Sequence, residues 1–421
     1  MKRLPEGENS ATLLRRLTSE FSFIKGNFLI LLVSWVIMDF AGEIPKTYYP
    51  LYVKALGGSA ATVGLIGSAS TLALALVQFP GGYLADRYGR RWLIVSLTYG
   101  VALSYTLYIF AKDWRFILIG AIIQSLCLLY QPALNAITMD SLPSEKRGMG
   151  FSIVTLIVGV SSTPAPLIAG ILYSRLGLMR GMRLAYGLVL AFYLAAATLR
   201  LRLRETIRDA EPIRVGEMLS TMPRSLVEGL KVWRRLPRSA SILLISGLIG
   251  SFASSLMEPL YALYAVEERG ITPIQWSQIL TVGFASILLL AFPAGKFVDK
   301  AGRRNGLILA HILWALALLL FLRGDFPSVM AAMPLIGLMS ILFHSSYSAL
   351  MADLVPKSLR GRMSGSQSFF RLLLTSAGNL LGGSLYDRFS PSFPIQLQLP
   401  LLLPPLLLIL LFLKEPERRE D

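Results

Sequence analysis

The stretch Phe79-Pro80-Gly81-Gly82-Tyr83-Leu84-Ala85-Asp86-Arg87-Tyr88-Gly89-Arg90-Arg91 returns 213 positions later as Phe292-Pro293-Ala294-Gly295-Lys296-Phe297-Val298-Asp299-Lys300-Ala301-Gly302-Arg303-Arg304. The same offset carries Asp140, Pro143, Arg147 and Gly148 onto Asp353, Pro356, Arg360 and Gly361. It also carries Gly170 and Tyr173 onto Gly383 and Tyr386. Blocks kept in one register without a gap mean that a duplicated unit fills both halves of the chain. Whatever one half folds into, the other must fold into as well.

The repeat lies in a chain that is 54% hydrophobic and only 16% charged, with a mean hydropathy of +0.59. An ordinary soluble domain carries about 25% charged residues. A chain of 421 residues could not hide that much apolar surface from water, but a bilayer can accept it. A spanning helix needs roughly 20 mostly apolar residues. Twelve such spans are legible, at 26–53, 59–84, 91–111, 115–139, 149–174 and 182–203, then 239–266, 272–298, 304–323, 327–352, 363–387 and 393–413. They predict an all-α membrane protein of two pseudo-symmetric six-helix bundles around a central cavity. A segment 1–25 precedes the first bundle (26–203), and a tail 414–421 follows the second (239–413). Between the bundles, 204–238 is polar and mixed in charge, as expected of short amphipathic helices along the membrane surface.

A net charge of +16 raises the question of nucleic acid. The basic residues form no single patch or tail, however; they sit in short clusters between apolar runs, where they report topology. Placing both termini inside puts 30 of the 41 Lys and Arg on the inner side and 9 on the outer. The expectation is a multi-pass protein of the cell membrane with both ends in the cytoplasm. Arg200 is counted there with the central loop, which leaves Lys46 and Arg371 within the membrane. The single cysteine, Cys127, excludes an internal disulfide. The polar start runs into an apolar segment too long for a cleavable signal.

In each half the block Gly-x-x-x-Asp-(Arg/Lys)-x-Gly-Arg-Arg falls at a tight turn between the second and third spans. Gly82 and Gly295 would allow close approach of a neighbouring helix. Asp86 and Asp299 would satisfy free N–H groups at a helix start. Asp140 and Asp353 end the fourth spans on the same side, within reach of the arginines. These residues resemble the signature loop of the major facilitator superfamily, and the resemblance covers nearly the whole chain. It implies two six-helix bundles whose cavity opens alternately to either side, with spans 1, 4, 7 and 10 lining it. It also implies a cytoplasmic latch between the bundles from Gly82, Asp86, Arg87, Gly89, Arg90, Arg91, Asp140 and Arg147. The second copy offers Gly295, Asp299, Arg303, Arg304, Asp353 and Arg360. Gly159-x-x-x-Thr163-Pro164 with Pro166 and Gly170 looks like a degenerate antiporter motif of proton-driven drug exporters. The fourth-span Arg-x-x-(polar)-Gly motif of those exporters is absent.

Charged residues inside the membrane are costly and usually face the bundle interior or a watery cavity. Asp39, Glu43 and Lys46 share one face of the first span, and Glu258 lies on a polar face of the seventh. Lys46 either pairs with Glu43 or meets Glu258, its opposite charge at an equivalent outer position, as an outer gate. Asp39 has no evident local partner, which makes it the first candidate proton carrier, with Glu43 second. Gln124, Gln131 and Asn135 form a stripe on span 4, and the repeat sets His344 and Ser348, with Ser340, against them on span 10. Such stripes suit either a substrate cavity or hydrogen bonds between helices. Arg371, inside span 11, is a further cavity candidate.

No phosphate-binding Gly-rich loop is present, and two histidines and one cysteine in separate spans make no metal site. No cofactor and no enzyme activity are expected. The sequence favours a monomeric transporter that couples protons to export of a small amphipathic or cationic molecule across the lipid bilayer. Uptake of a polar metabolite such as a sugar or organic acid is the alternative on the same fold. A receptor or scaffold without transport is the alternative of another class, and the embedded carboxylates argue against it.

Overall fold

A computed structural model describes residues 21–87, 89–207, 231, 233 and 236–415. Most of the central loop, which was expected to form surface helices, therefore lies outside the described residues. Among those described there are helices and turns but no strand. A bilayer leaves a lone strand's polar backbone unpaired, whereas a helix satisfies its own.

The first six spans are α1 (Gly26–Lys46, continued by Tyr49–Ala55), α2 (Ala60–Arg87), α3 (Arg90–Ile109) and α4 (Trp114–Cys127, continued as Gln131–Asp140), followed by α5 and α6. Helix α5 begins at Arg147–Ser162 and continues in Ala165–Arg200, where Gly177 marks the bend into α6. The second six are α7 (Arg238–Ser255, continued irregularly to Glu268), α8 (Pro273–Ala301), α9 (Arg303–Arg323), α10 (Phe326–Leu354), α11 (Lys357–Arg388) and α12 (Phe393–Leu401 with Leu403–Phe412). Ten stretches of the described chain are long and apolar enough to cross a membrane. One of them, Ser144–Arg200, contains both α5 and α6. Helix α11 is the twelfth span, too polar to qualify because it carries Arg360 and Arg371 and buries Ser366, Ser376 and Asn379.

Several spans expected to be continuous are broken, and proline accounts for most breaks. It removes a backbone donor and its ring clashes with the preceding turn. Helix α4 passes through the 3₁₀ turn Leu128–Tyr130 just before Pro132, and α5 restarts after Thr163-Pro164. Helix α7 breaks at Glu258-Pro259, and α12 at Leu402, ahead of Pro404.

One apolar core runs across both bundles at the face opposite the termini, joining Tyr48, Leu51 and Tyr52 to Leu260, Tyr264 and Trp276. At the termini face the cores are separate. Phe23, Phe28 and Leu142 pack in the first bundle, while Leu243, Leu307, Leu350 and Ile409 pack in the second. Polar contacts agree. At the far face Trp276 Nε1 donates to the Thr47 carbonyl (3.1 Å), Ala61 N–H donates to Asp387 (2.7 Å), and Tyr48 bonds Ser277 (2.6 Å). Deeper in, Ser68 meets Ser376 at 2.8 Å, and Ala75 packs on Phe369 and Leu372. The space between the bundles is closed at the far face and open towards the termini.

Candidate functional site: two cavities and a charged rim

The repeated loops set how the helices meet. Gly89 and Gly302 adopt φ of +92° and +91° immediately before α3 and α9. Only glycine accepts that conformation without strain, so the turn itself demands a glycine there. The arginines that follow work within their own bundle. Arg90 forms an ion pair with Asp140, and Arg303 forms the equivalent pair with Asp353. Arg91 donates to the Leu201 carbonyl at the end of α6 (2.7 Å), and Arg304 donates to the Leu410 carbonyl in α12 (2.5 Å). In this open state the pairs that were expected to latch the two bundles together each tie one bundle to itself.

Other members of the group are placed as follows. Arg87 stacks on Tyr83, and Arg360 donates to the Val355 carbonyl (2.9 Å). Arg147 and Asp299 are exposed. The Asp86 side chain lies outside the described residues. The close approach expected at Gly82 and Gly295 is not there, since a Cβ at either would meet open space. It falls one residue earlier, at Gly81, against the Leu129 carbonyl.

At the start of α3, Glu205 accepts from Arg91 N–H at 2.9 Å. Glu415 does the same for Arg304. Burial pushes the Glu205 carboxyl up, but backbone N–H donors from Arg91, Arg90, Thr206 and Ile207 outweigh it and hold the group below the usual range. Glu205 and Glu415 each follow a Leu-x-Leu-(Arg/Lys) run at the end of the sixth span of its half. That likeness was visible in the sequence.

The first cavity, ≈430 Å³, lies inside the first bundle. Asp39, Gln124, Gln131, Lys46 and Arg200 line it, with Trp35, Tyr105, Tyr130 and Tyr193 as aromatic walls. Gln124 donates to the Tyr105 hydroxyl at 2.6 Å and accepts from Tyr108 at 3.3 Å. Among the described residues Asp39 makes no hydrogen bond or ion pair, although Lys46, Glu43 and Arg200 act on it at longer range. Arg200 is not a loop residue, as the charge count had it. It is fully buried, at 0% exposure, within the first bundle.

The second cavity, ≈320 Å³, lies between the bundles beneath the far-face seal. Glu258 opens into it among Tyr49, Tyr261, Trp276, Phe321 and Met333, and Lys46 borders it too. Glu258 has no ion pair among the described residues, though the charges of Lys46 and Arg371 reach it. Lys46 is instead paired with Glu43, one turn away. Asn135, His344, Ser348 and Arg371 are exposed, and His344 Nδ1 is hydrogen-bonded to the Ser340 carbonyl (2.8 Å). Ser348 lines a third hollow between α10 and α11, away from the other two. Among the described residues no group of His, Cys, Asp or Glu could hold a metal.

At the far face, the ion pair between the bundles joins Lys54 and Glu267. These two are 213 positions apart, so the repeat sets opposite charges at equivalent sites, as argued for Lys46 and Glu258. Both are partly exposed, at 48% and 30%, and such pairs contribute about 0.2–1 kcal/mol. Lys54→Glu and Glu267→Lys should therefore each slow transport by roughly two- to fivefold. The double swap should restore it, and failure to recover at normal expression would remove the pair from gating.

The antiporter-like glycines also acquire a place. Gly170 packs against Ser277 and Ile274, and Gly159 against Leu288, all on α8 of the opposite bundle.

Comparison with known proteins matches this geometry. The profile of the Major Facilitator Superfamily matches residues 31–272 and 243–421. The chain is 28% identical over 386 residues to the multidrug resistance protein MdtG of Escherichia coli O9:H4 (strain HS), covering 85% of this chain and 88% of the relative. It is 25% identical over 388 residues to MdtG of Enterobacter lignolyticus (strain SCF1), covering 87% of each. Among solved structures, a POT family transporter in complex with 5-aminolevulinic acid superposes with a TM-score of 0.71 at 14% identity, over 92% of this chain and 95% of that one. The nucleoside transporter NupG gives 0.68 at 14%, over 92% and 98%. With its duplicated bundles, its paired signature loops and this match over nearly its whole length, the chain belongs to the Major Facilitator Superfamily of membrane transporters.

Proposed function

We propose that the protein exports small amphipathic molecules, organic cations among them, in exchange for protons. It would work as a monomer in the cell membrane with both termini in the cytoplasm. The observation that carries this reading is a pair of carboxylates, Asp39 and Glu258, without ion-pair partners among the described residues, in adjoining cavities that share Lys46. A carboxylate among aromatic rings suits a cationic head, which gains from both charge and ring faces. Glu258 with Tyr49, Tyr261, Trp276 and Phe321 is such an arrangement. Asp39, in the other cavity, is the group proposed to carry the proton, with Glu43 held in reserve by its pair with Lys46. The multidrug resistance proteins among the relatives support export over uptake. Asp86, Arg87, Arg90, Arg91 and Asp140 are proposed to latch the bundles when the termini face closes.

The test uses proteoliposomes loaded with acidic buffer and diluted into alkaline buffer containing radiolabelled tetraphenylphosphonium. Accumulation that needs the pH gradient and collapses with a protonophore is expected. Accumulation unaffected by the gradient would overturn proton coupling.

A further inference from the structure

Arg200 is the one fully buried charge among the described residues, and its surroundings do not neutralise it. Its Nε donates to Ser34 Oγ (3.1 Å) and its Nη1 to Thr98 Oγ1 (2.8 Å). Both hydroxyls spend their own protons on backbone carbonyls, Ser34 on Leu31 (2.8 Å) and Thr98 on Ile94 (2.5 Å). Their oxygens are thus fixed as acceptors facing the guanidinium. The Tyr130 ring lies over it, 5.7 Å to the centroid. Nη2 has no hydrogen-bond partner among the described residues. A buried donor left empty is costly, and a buried cation held only by neutral groups is costlier. Asp39 lines the same cavity and its charge reaches Arg200, but the two form no ion pair.

The repeat does not carry this arginine into the second half. The last turn of α12, which closes the second bundle in the same way, carries no basic residue. Its Leu410 and Leu413 stand where the repeat would place a counterpart. One bundle was built with a held guanidinium facing a cavity, and its twin was built without.

We propose that the cavity of the first bundle is an anion-recognising subsite, in which Arg200 Nη2 takes the carboxylate of a small aromatic acid whose ring lies on Trp35, Tyr105 and Tyr193. This rests on the reading of that cavity as part of the substrate path, and it adds an anionic pole to the cationic one at Glu258. The volume, ≈430 Å³, admits one drug-sized molecule. Arg200 is enclosed in the present state, and Tyr130 is the side chain that yields to admit the carboxylate. Tyr130 stands on the 3₁₀ turn of α4, where no regular helical ladder has to break for it to move.

The test is equilibrium binding to the purified full-length protein in detergent at fixed pH, with no gradient. Three ligands share one ring: 2-naphthoate, 2-naphthylmethanol and 2-naphthylmethylamine. A charge-assisted hydrogen bond to a desolvated guanidinium should favour the carboxylate over the alcohol by on the order of tenfold or more. Arg200→Gln should erase that advantage, Arg200→Lys should keep part of it, and Asp39→Asn should strengthen it severalfold. The amine should compete poorly with the carboxylate and lose affinity in Glu258→Gln, which should leave the naphthoate advantage intact. Wild-type protein that binds the alcohol as tightly as naphthoate overturns the proposal, whether or not the variants fold. So does a naphthoate advantage that survives Arg200→Gln. Because no gradient is involved, failure here leaves proton-driven export standing, and failure of export leaves this result standing.

Discussion

Asp39→Asn is expected to abolish pH-driven accumulation while leaving energy-independent exchange of substrate intact. Asp39 borders the first-bundle cavity and has no hydrogen bond or ion pair among the described residues. Carboxylates within membrane spans that face a cavity mark proton relays. Asparagine keeps the shape and removes the titration. Glu43→Gln should have a smaller effect, because Glu43 already answers Lys46. Parallel assays of gradient-driven uptake and counterflow separate the two steps. A mutant that still concentrates substrate against its gradient places the proton elsewhere.

Gly383→Val is expected to unseal the far face. A Cβ at Gly383 would strike the Ala60 carbonyl and the Ala61 Cα, and one at Gly64 would strike the Asn379 carbonyl. Helices α2 and α11 therefore meet backbone to backbone, and neither can give way as a flexible side chain would. Overpacking of this kind costs about 1–3 kcal/mol. At about 1.4 kcal/mol per factor of ten, the sealed state should lose roughly five- to a hundredfold in population. The readout is alkylation of Ala262→Cys, in the cavity beneath the seal, by an impermeant maleimide from the far side. Alkylation should quicken at least fivefold in Gly383→Val and in Gly64→Val. Gly82→Val, where the new group meets nothing within 4 Å, should leave it unchanged. Equal labelling in all three would show that the seal does not depend on this approach.

The architecture was legible because hydropathy and duplication are long-range signals that survive local irregularity. Twelve spans and their pairing could be read from residue types alone, and even the irregular turns in α4, α5 and α7 are announced by Pro132, Pro164 and Pro259. Single side chains were harder. Arg200, Arg202 and Arg204 alternate in one short run, and nothing local tells that the first ends buried in the bundle while the others are exposed. Lys46 had two partners within reach, and proximity along the helix favoured Glu43. The ion pair across the far face was encoded in the repeat at Lys54 and Glu267, but outside the embedded charges that first draw notice. Gly82 and Gly81 differ by about 100° around a helix, and sequence alone could not say which one faces α4.

The clamps at the two signature loops bear on how force passes through the molecule. Arg91 holds the carbonyl end of α6, Glu205 just beyond it holds the start of α3, and Arg90 holds α4. The chain that leaves α6 for the second bundle is thus tied to α3 at its root, and through α3 to α4. A pull on that root cannot peel α6 away by itself; α3 and, through it, α4 must move with it.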